Sequence, residues 1–270
     1  MEQQGLGILL GLGSLALGYV FSKIGEYGGK EVDRLKNVPR YYDYSKLRND
    51  LSASSNGVLS QVMVQGTARR PPGSPSLYSE DAGIEGAARL VITTNTSKVY
   101  NQTNDKWEEK NRSLDNVCLS VPFTLTDPKG NGVTVENIHM SRGFRSILQM
   151  VYQFKREPEQ RSIGDYAVNM TLSEIPTGSR TKEYMLLYGS MLAGIGDAMQ
   201  QGGSDIVFYP SEVGKSIQSL IYEKEMIVSF SKFMTTVLVL GGCSMIFIAF
   251  MLPWIREKLR RESERDLQSY

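Results

Sequence analysis

The longest uncharged apolar stretch of this sequence covers 233–254 and constrains where the rest of the chain can lie. Its sequence is FMTTVLVLGGCSMIFIAFMLPW, which is about the 20 residues that a helix needs to cross a bilayer. Charged residues end at Lys232 and resume at Arg256 and Lys258. A buried helix of a soluble protein has a polar face, and this stretch has none. We therefore predict a membrane-spanning helix that is followed by a basic cytosolic anchor.

The composition excludes several classes of protein. The mean hydropathy of the chain is slightly negative, so a polytopic transporter is excluded. The formal net charge of +1 over 270 residues provides no positive field for nucleic acid. Two cysteines, Cys118 and Cys243, and one histidine, His139, are too few for a disulfide framework or a zinc finger.

A second apolar run covers 5–22, with the sequence GLGILLGLGSLALGYVFS. Its small residues Gly7, Gly11, Ser14 and Gly18 are spaced to lie on one helical face, the arrangement that lets two membrane helices approach closely. A cleaved signal peptide is the alternative. The start MEQQ has an acidic residue and no basic side chain, which favours a retained membrane helix.

Between the two apolar runs the pattern changes from helical to strand-like. A juxtamembrane helical segment is expected first, interrupted at Pro39. Short runs rich in Val, Ile and Thr then predict strands, with loops at 69–76 and 127–132. One helix is expected over 141–155, because Phe144 and Tyr152 belong to a set of apolar residues at helical spacing. Strands are predicted over 183–199, since its three glycines disfavour the helical alternative.

The fold class expected from this order is α+β, a β-rich soluble domain between two transmembrane helices. The predicted segments are 1–22, a transmembrane helix with a short N-terminal tail; 23–57, juxtamembrane; 58–214, the β-rich domain; 215–232, a connecting helix; 233–254, a transmembrane helix; and 255–270, a basic tail.

No catalytic residue, cofactor-binding residue or metal ligand is predicted, and no small-molecule substrate is evident. His139 lies in a strand-like segment and is expected to be a surface or half-buried strand residue. Trp107 is expected to be a packing anchor. The acidic residues around it, Glu108, Glu109 and Asp115, alternate with basic ones, which is typical of a solvated hairpin end.

The chain also contains four glycosylation sequons. They begin at Asn95, Asn101, Asn111 and Asn169, and they would be acceptors if the domain were lumenal in the secretory pathway. A glycosylated membrane protein of the endoplasmic reticulum or cell surface is therefore an alternative.

The basic tail has two interpretations. It is either a cytosolic anchor or a helix that binds anionic lipid or a partner. The acidic residues interleaved in the tail favour the anchor.

The order of landmarks resembles that of a known family. Between the two apolar runs stand VMVQGTAR, the lone Trp107, VPFTL, GVTVENI, LQMVYQF, DYAVNMTLSEIPTG and EYMLLYGSMLAGIGDAM. This order resembles the MAPL/GIDE family of mitochondrial-anchored ubiquitin and SUMO ligases over about residues 1–255, most specifically over 163–198. The resemblance implies a two-span protein of the mitochondrial outer membrane, with both ends in the cytosol and the central "beside a membrane" domain in the intermembrane space.

The chain departs from the family pattern after the second span. Family ligases continue into a RING finger, whereas no cysteine or histidine follows Cys243 here, and a RING cannot fold without its zinc ligands. The expectation is a non-catalytic interaction or regulatory module that pairs through the first transmembrane helix with another copy or with a full-length ligase. A fragment or isoform of an active ligase is the alternative, so enzymatic status stays open.

Overall fold

The computed structural model describes residues 2–101, 103–156, 174–202 and 205–268 and confirms the α+β class. The chain divides into two compact units. The helical unit comprises Met1–Asn37 and Ile221–Tyr270, and the β unit comprises Val38–Leu220.

Two long helices and two short ones are found in the described part of the chain. They are α1 (Glu2–Asn37), α2 (Tyr44–Ala53), α3 (Phe144–Ile147) and α4 (Ile217–Gln268), with a 3-10 turn at Ile138–Met140. The strands are β1 (Arg40–Tyr41), β2 (Val58–Arg69), β3 (Leu77–Ser79), β4 (Ile84–Asn101), β5 (Lys106–Ser120), β6 (Phe123–Thr126), β7 (Gly132–Val135), β8 (Gln149–Arg156), β9 (Glu174–Leu187), β10 (Met191–Gln201) and β11 (Asp205–Gly214).

The first sheet of the β unit closes on itself. Among the described residues its strand order is β1-β2-β10-β11-β7-β6, and β2 also pairs with β6, so five strands form a ring. Thr67 of β2 is opposite Thr126 of β6 at this closure. The interior of the ring is filled by large side chains such as Phe123 and Phe208, which are completely buried. Closure leaves β2 with a partner on both edges, which removes an edge that would otherwise be exposed.

Helix α2 packs into the same core. Asp43 caps its N-terminus by accepting a hydrogen bond from the backbone N–H of Ser45 at 3.0 Å. Tyr44, Leu47 and Leu51 lie on one face of the helix, and each is completely buried. The predicted interruption at Pro39 is confirmed, because α1 ends at Asn37 and α2 begins at Tyr44.

Glycines allow strands β10 and β11 to approach closely. A Cβ atom on Gly196 would collide with the backbone carbonyl of Tyr209, and one on Gly194 would lie 2.8 Å from the Phe208 ring. The prediction of strands over 183–199 is confirmed, and its helical alternative is wrong. The glycines disfavour a helix, and both β9 and β10 gain a full set of sheet partners.

The second sheet contains the longest strands of the β unit. Its order is β3-β4-β9-β8, with β5 on the other edge of β4. The β4–β5 hairpin is paired from Ala88 and Ser120 to Asn101 and Lys106. Nearly every residue of β5 is exposed on both of its faces, so this hairpin extends beyond the packed core.

Two local predictions are wrong. The helix expected over 141–155 is only the single turn of α3, and the chain continues as β8, whose residues pair with β9. Pairing with β9 overrides the helical spacing, and the β-branched and aromatic residues Val151, Tyr152 and Phe154 suit a strand. His139 lies in the 3-10 turn rather than a strand, because Asn137 adopts a left-handed conformation with φ of 54° just after β7. A strand is also predicted over 165–176, the run DYAVNMTLSEIP; residues 165–173 lie outside the described residues, and 174–176 form the start of β9.

Candidate functional site

The two long helices of the helical unit are candidates for the membrane anchor. Among the described residues, the segments Leu6–Asn37 and Ile217–Leu252 are long and apolar enough to cross a membrane. In the most apolar 18-residue stretch of each helix, only 11% of the residues are buried within the protein. Large apolar side chains such as Leu9 and Phe250 are about 70% exposed, a surface suited to lipid rather than water.

The small residues of α1 contact α4. A Cβ on Gly7 would lie 3.1 Å from the Cβ of Ala249, and one on Gly18 would lie 3.2 Å from Cγ2 of Val239. Ser14 donates a hydrogen bond from Oγ to the backbone carbonyl of Leu238 at 2.9 Å. As the residue number increases along α1, the residue number of its contact on α4 decreases. The two helices are therefore antiparallel. The face that was expected to bind a second chain is therefore occupied by α4 of the same chain.

The contact between the helices continues past the apolar runs. Gly28 approaches Val228, Phe21 meets Phe230 edge to face with ring centroids 6.4 Å apart, and the amine of Lys36 lies 2.6 Å from a carboxylate oxygen of Glu225. We call this line of contacts the α1–α4 seam. Its α1 positions are spaced alternately by four and three residues, namely 7, 11, 14, 18, 21, 25 and 28, and the buried Val32 and Leu35 continue the same spacing.

This spacing is the heptad repeat of a left-handed coiled coil. Only the first four positions of this repeat were predicted from the sequence, because small residues on one face are typical of membrane helices. The signal that would have extended it was present: the same spacing runs through Gly25 and Gly28 to Val32 and Leu35, which are 6% and 3% exposed.

A groove runs beside the seam, just beyond the apolar runs. Its larger part has a volume of about 540 Å³, and a second part of about 370 Å³ adjoins it around Gly29, Asp33 and Lys232. The residues that line the larger part are mainly small or polar: Phe21, Ser22, Gly25, Glu26, Gly29, Lys30, Asp33, Lys232, Thr235 and Thr236.

In the β unit, the carboxylate of Asp127 joins a hairpin to a helix. It accepts hydrogen bonds from the backbone N–H groups of Tyr44, Lys129 and Asn131, at 3.0, 2.9 and 2.8 Å, and from the Asn131 side chain at 2.9 Å. Burial alone would raise the pKa of Asp127, but these hydrogen bonds hold it below its ordinary value. This carboxylate therefore stabilises the β6–β7 turn and the start of α2.

A second buried carboxylate, Glu183, connects three strands of the other sheet. Its side chain is 2% exposed, accepts a hydrogen bond from Ser79 Oγ at 2.8 Å, and lies 2.5 Å from Nε of Arg89. The three residues lie on β9, β3 and β4. Because both oxygens have partners, the buried charge is compensated and its role is structural.

The residues singled out from the sequence do not come together into a reactive site. His139 Nδ1 is 2.6 Å from Ser120 Oγ, and no carboxylate among the described residues hydrogen-bonds to this histidine. Trp107 contacts Tyr100 with ring centroids 5.3 Å apart and is 45% exposed. Glu109 and Asp115 are exposed on β5, and Glu108 accepts a hydrogen bond from Asn101.

The cysteines and acidic residues do not form a metal site where the structure describes them. No group of three or more His, Cys, Asp or Glu side chains is arranged to hold a metal ion in that part of the chain. Cys118 and Cys243 are free thiols, and partial burial raises the pKa of Cys118. Sequon residues Asn95 and Asn111 are exposed on β4 and β5.

Comparisons with known proteins identify similar chains. The GIDE family model, described as "E3 Ubiquitin ligase", matches residues 93–249, from β4 into the apolar part of α4. A mouse protein, "Mitochondrial ubiquitin ligase activator of NFKB 1", is 23% identical over 272 residues, covering 96% of this chain and 75% of the relative. A Drosophila melanogaster protein, "Mitochondrial E3 ubiquitin protein ligase 1", is 25% identical over 267 residues, covering 98% and 75%. No solved structure matches significantly.

Proposed function

Because the chain belongs to the GIDE family of E3 ubiquitin ligases, we propose that it is a two-span protein of the mitochondrial outer membrane that serves the ubiquitin pathway. Residues 1–270 contribute the membrane anchor and an interaction or regulatory domain. The transfer of ubiquitin itself is assigned to a RING-bearing ligase, because two cysteines and one histidine within these residues cannot supply the zinc ligands of a RING.

The extent of the family match carries this proposal. It is continuous from the β unit through the start of α4 into the apolar run of that helix, so the family signature includes the membrane segment together with the soluble domain. The names of the mouse and Drosophila relatives both contain "mitochondrial", which supports the organelle. We propose 58–214 as the GIDE domain, linked by 215–232 to the second span.

The proposed orientation places both ends of the chain in the cytosol and the β unit in the intermembrane space. Two crossings put residues 1 and 270 on the same side of the membrane. Arg256 and Lys258 follow the second apolar run directly, and basic residues at the end of a span favour the cytosolic side. The basic residues after the first apolar run, such as Lys23, oppose this orientation, but a charge bias beside a long translocated domain has little weight.

Protease protection in isolated mitochondria tests the orientation. One epitope tag is inserted between Arg69 and Leu77 and another after Tyr270. We expect the internal tag to be protected until the outer membrane is ruptured, and the C-terminal tag to be cleaved at once. Cleavage of the internal tag in intact mitochondria would show that the β unit faces the cytosol. A mobility shift on endoglycosidase treatment would instead establish the secretory alternative.

A second candidate function is that these residues are part of an active ligase. The observation that favours it is length, since the match covers 75% of the mouse and Drosophila relatives. Sequencing of the transcript beyond the codon for Tyr270 tests this candidate. A continuous reading frame that encodes a Cys/His-rich tail would support it and would replace the regulatory proposal. A stop codon directly after Tyr270 would exclude it.

A further inference from the structure

The groove beside the α1–α4 seam lies at the level where both apolar runs end. On α1 the last uncharged residue of the run is Ser22, and on α4 the run begins immediately after Lys232; both residues line the groove. If the two helices cross the membrane, as proposed above, the groove therefore opens at the boundary between lipid and water. Its larger part, about 540 Å³, falls within the range of small-molecule sites, roughly 300–1,000 Å³.

A glycine without a packing role keeps the groove open. Glycine in the interior of a water-exposed helix costs about 1 kcal/mol relative to alanine. At Gly28 the close approach of α4 explains this cost, because a Cβ there would lie 2.8 Å from Val228 Cγ2. At Gly29 a Cβ would meet no atom within 4 Å. Gly29 lines both parts of the groove, so any side chain at this position would project into space that is otherwise empty.

Two opposite charges in the groove have no ionic partner within the described residues. The amines of Lys30 and Lys36 are paired with Glu26 and Glu225, respectively. The ammonium of Lys232 and the carboxylate of Asp33 line both parts of the groove and form no salt bridge in the part of the chain that the structure describes. Among the described residues, the groove lining therefore offers a cation and an anion that lack an ionic partner, which complements a zwitterion.

The groove is continuous with an apolar surface. One turn from the lining residue Ser22, towards the N-terminus, lies Tyr19, which is 65% exposed, and one turn beyond Thr236 lies Leu240, which is 63% exposed. Residues three and four positions apart share a helical face. A molecule with its polar end in the groove would therefore have its apolar part against the lipid-facing surface of α1 and α4.

We propose that the groove binds a glycerophospholipid whose headgroup carries a phosphate and a primary ammonium, the phosphoethanolamine class. Lys232 pairs with the phosphate, and Asp33 accepts hydrogen bonds from the ammonium, which a quaternary choline cannot donate. The acyl chains follow the exposed apolar side chains beside Tyr19 and Leu240. This inference rests on the proposed membrane placement of the two helices.

The test measures retained lipid on the full chain. The protein is purified in a mild detergent and exposed to equal amounts of phosphatidylethanolamine, phosphatidylcholine and phosphatidylglycerol, and bound lipid is counted by native mass spectrometry. We expect phosphatidylethanolamine to be retained preferentially. Lys232→Gln should reduce retention roughly fivefold, the effect of losing one charge-assisted contact at a partly exposed site. Asp33→Asn should abolish the preference over phosphatidylcholine.

A matched pair of glycine variants separates groove filling from misfolding. Gly29→Leu places a side chain in the groove and improves helix propensity, so it should fold and lose the bound lipid. Gly13→Leu is the control, because a Cβ at Gly13 also meets no atom within 4 Å and Gly13 does not line the groove. Equal retention by these two variants, or a preference for phosphatidylglycerol in the parent chain, would overturn the inference.

Extraction of membranes at alkaline pH distinguishes this result from failure of the proposed function. If the chain stays in the membrane pellet and shows no preference among the lipids, the groove inference is wrong and the anchor stands. If the chain is released into the supernatant, the membrane placement is wrong and the inference falls with it.

Discussion

Ser14 and Leu238 are joined by a hydrogen bond from the serine Oγ to the leucine backbone carbonyl, at 2.9 Å and across 224 positions of the sequence. This bond lies within the two apolar runs, and in a bilayer, where water is absent, such polar groups would have few other partners. It fixes the register of α1 against α4. The register places the seam glycines of α1, at positions 7, 11, 18, 25 and 28, opposite residues of α4, so backbone atoms of the two helices come close together.

The register predicts an intramolecular crosslink. In a variant with Cys118→Ser and Cys243→Ser, the pair Gly7→Cys and Ala249→Cys should form a disulfide on mild oxidation, because a Cβ at position 7 lies 3.1 Å from that of Ala249. The product should migrate as a monomer in a non-reducing gel. A covalent dimer would show instead that α1 pairs with a second copy. The control pair Gly13→Cys and Ala249→Cys should stay reduced.

The seam also predicts a specific sensitivity to side-chain size. Gly11→Leu should weaken the helix pair by about 1–3 kcal/mol, because a Cβ at Gly11 would already lie 2.9 Å from the backbone carbonyl of Gly242. The midpoint of unfolding, measured by circular dichroism in micelles on heating, should fall. Gly13→Leu should not lower the midpoint, because a Cβ at Gly13 meets no atom within 4 Å. A fall of equal size in both variants would contradict the seam.

The buried carboxylate of Asp127 predicts loss of stability in acid. Its folded-state pKa is lowered, so its contribution to the free energy of unfolding is fully present above the unfolded-state value of about 3.9 and is lost as the pH falls through the folded-state value. Urea unfolding of the full chain between pH 7 and pH 3 should show this decline. In Asp127→Asn the decline should be smaller, and stability at pH 7 should be lower.

An exposed acidic residue provides the control for this experiment. Glu109 on β5 is exposed, and Glu109→Gln should change stability at pH 7 by no more than about 0.5 kcal/mol. It should also leave the acid dependence as it is in the parent chain. If Asp127→Asn and Glu109→Gln behave alike, the hydrogen bonds of Asp127 do not stabilise the fold.

The ion pair of Arg89 and Glu183 predicts a strong coupling between two substitutions. Arg89→Met leaves the buried carboxylate with Ser79 alone and should cost about 2–4 kcal/mol, somewhat reduced because the Arg89 side chain is 31% exposed. The double variant Arg89→Met with Glu183→Met should recover most of that loss, since no buried charge remains. The free energies of unfolding of the four chains measure the coupling, and additive losses would exclude it.

Much of the fold is predictable from local patterns. The apolar runs specify α1 and α4, and the runs rich in Val, Ile and Thr specify β2 and β4. Pro39 separates α1 from α2, and the glycines at 194 and 196 mark where two strands approach closely. Each of these features depends on a few neighbouring residues, because periodicity and backbone restriction act over a single element.

The remaining features depend on contacts between distant segments. The single turn of α3 and the strand β8 are decided by pairing with β9, so helical spacing around Phe144 is misleading. Closure of the ring depends on Thr67 meeting Thr126. The groove depends on which faces of α1 and α4 meet, and single-helix composition contains no information on the space left between Asp33 and Lys232.

The seam between the first and last helices has a consequence for synthesis. Ribosomes add roughly 5–20 residues per second, and α4 follows Ser14 by more than 200 positions. The nascent α1 therefore waits on the order of ten to fifty seconds before its partner exists. During that interval its row of glycines lacks the α4 residues that it contacts in the folded chain, and in water glycine lowers the stability of an isolated helix. The helix pair is thus completed only after α4 has been synthesised, so that a ribosome stalled within the β unit leaves α1 without its partner helix.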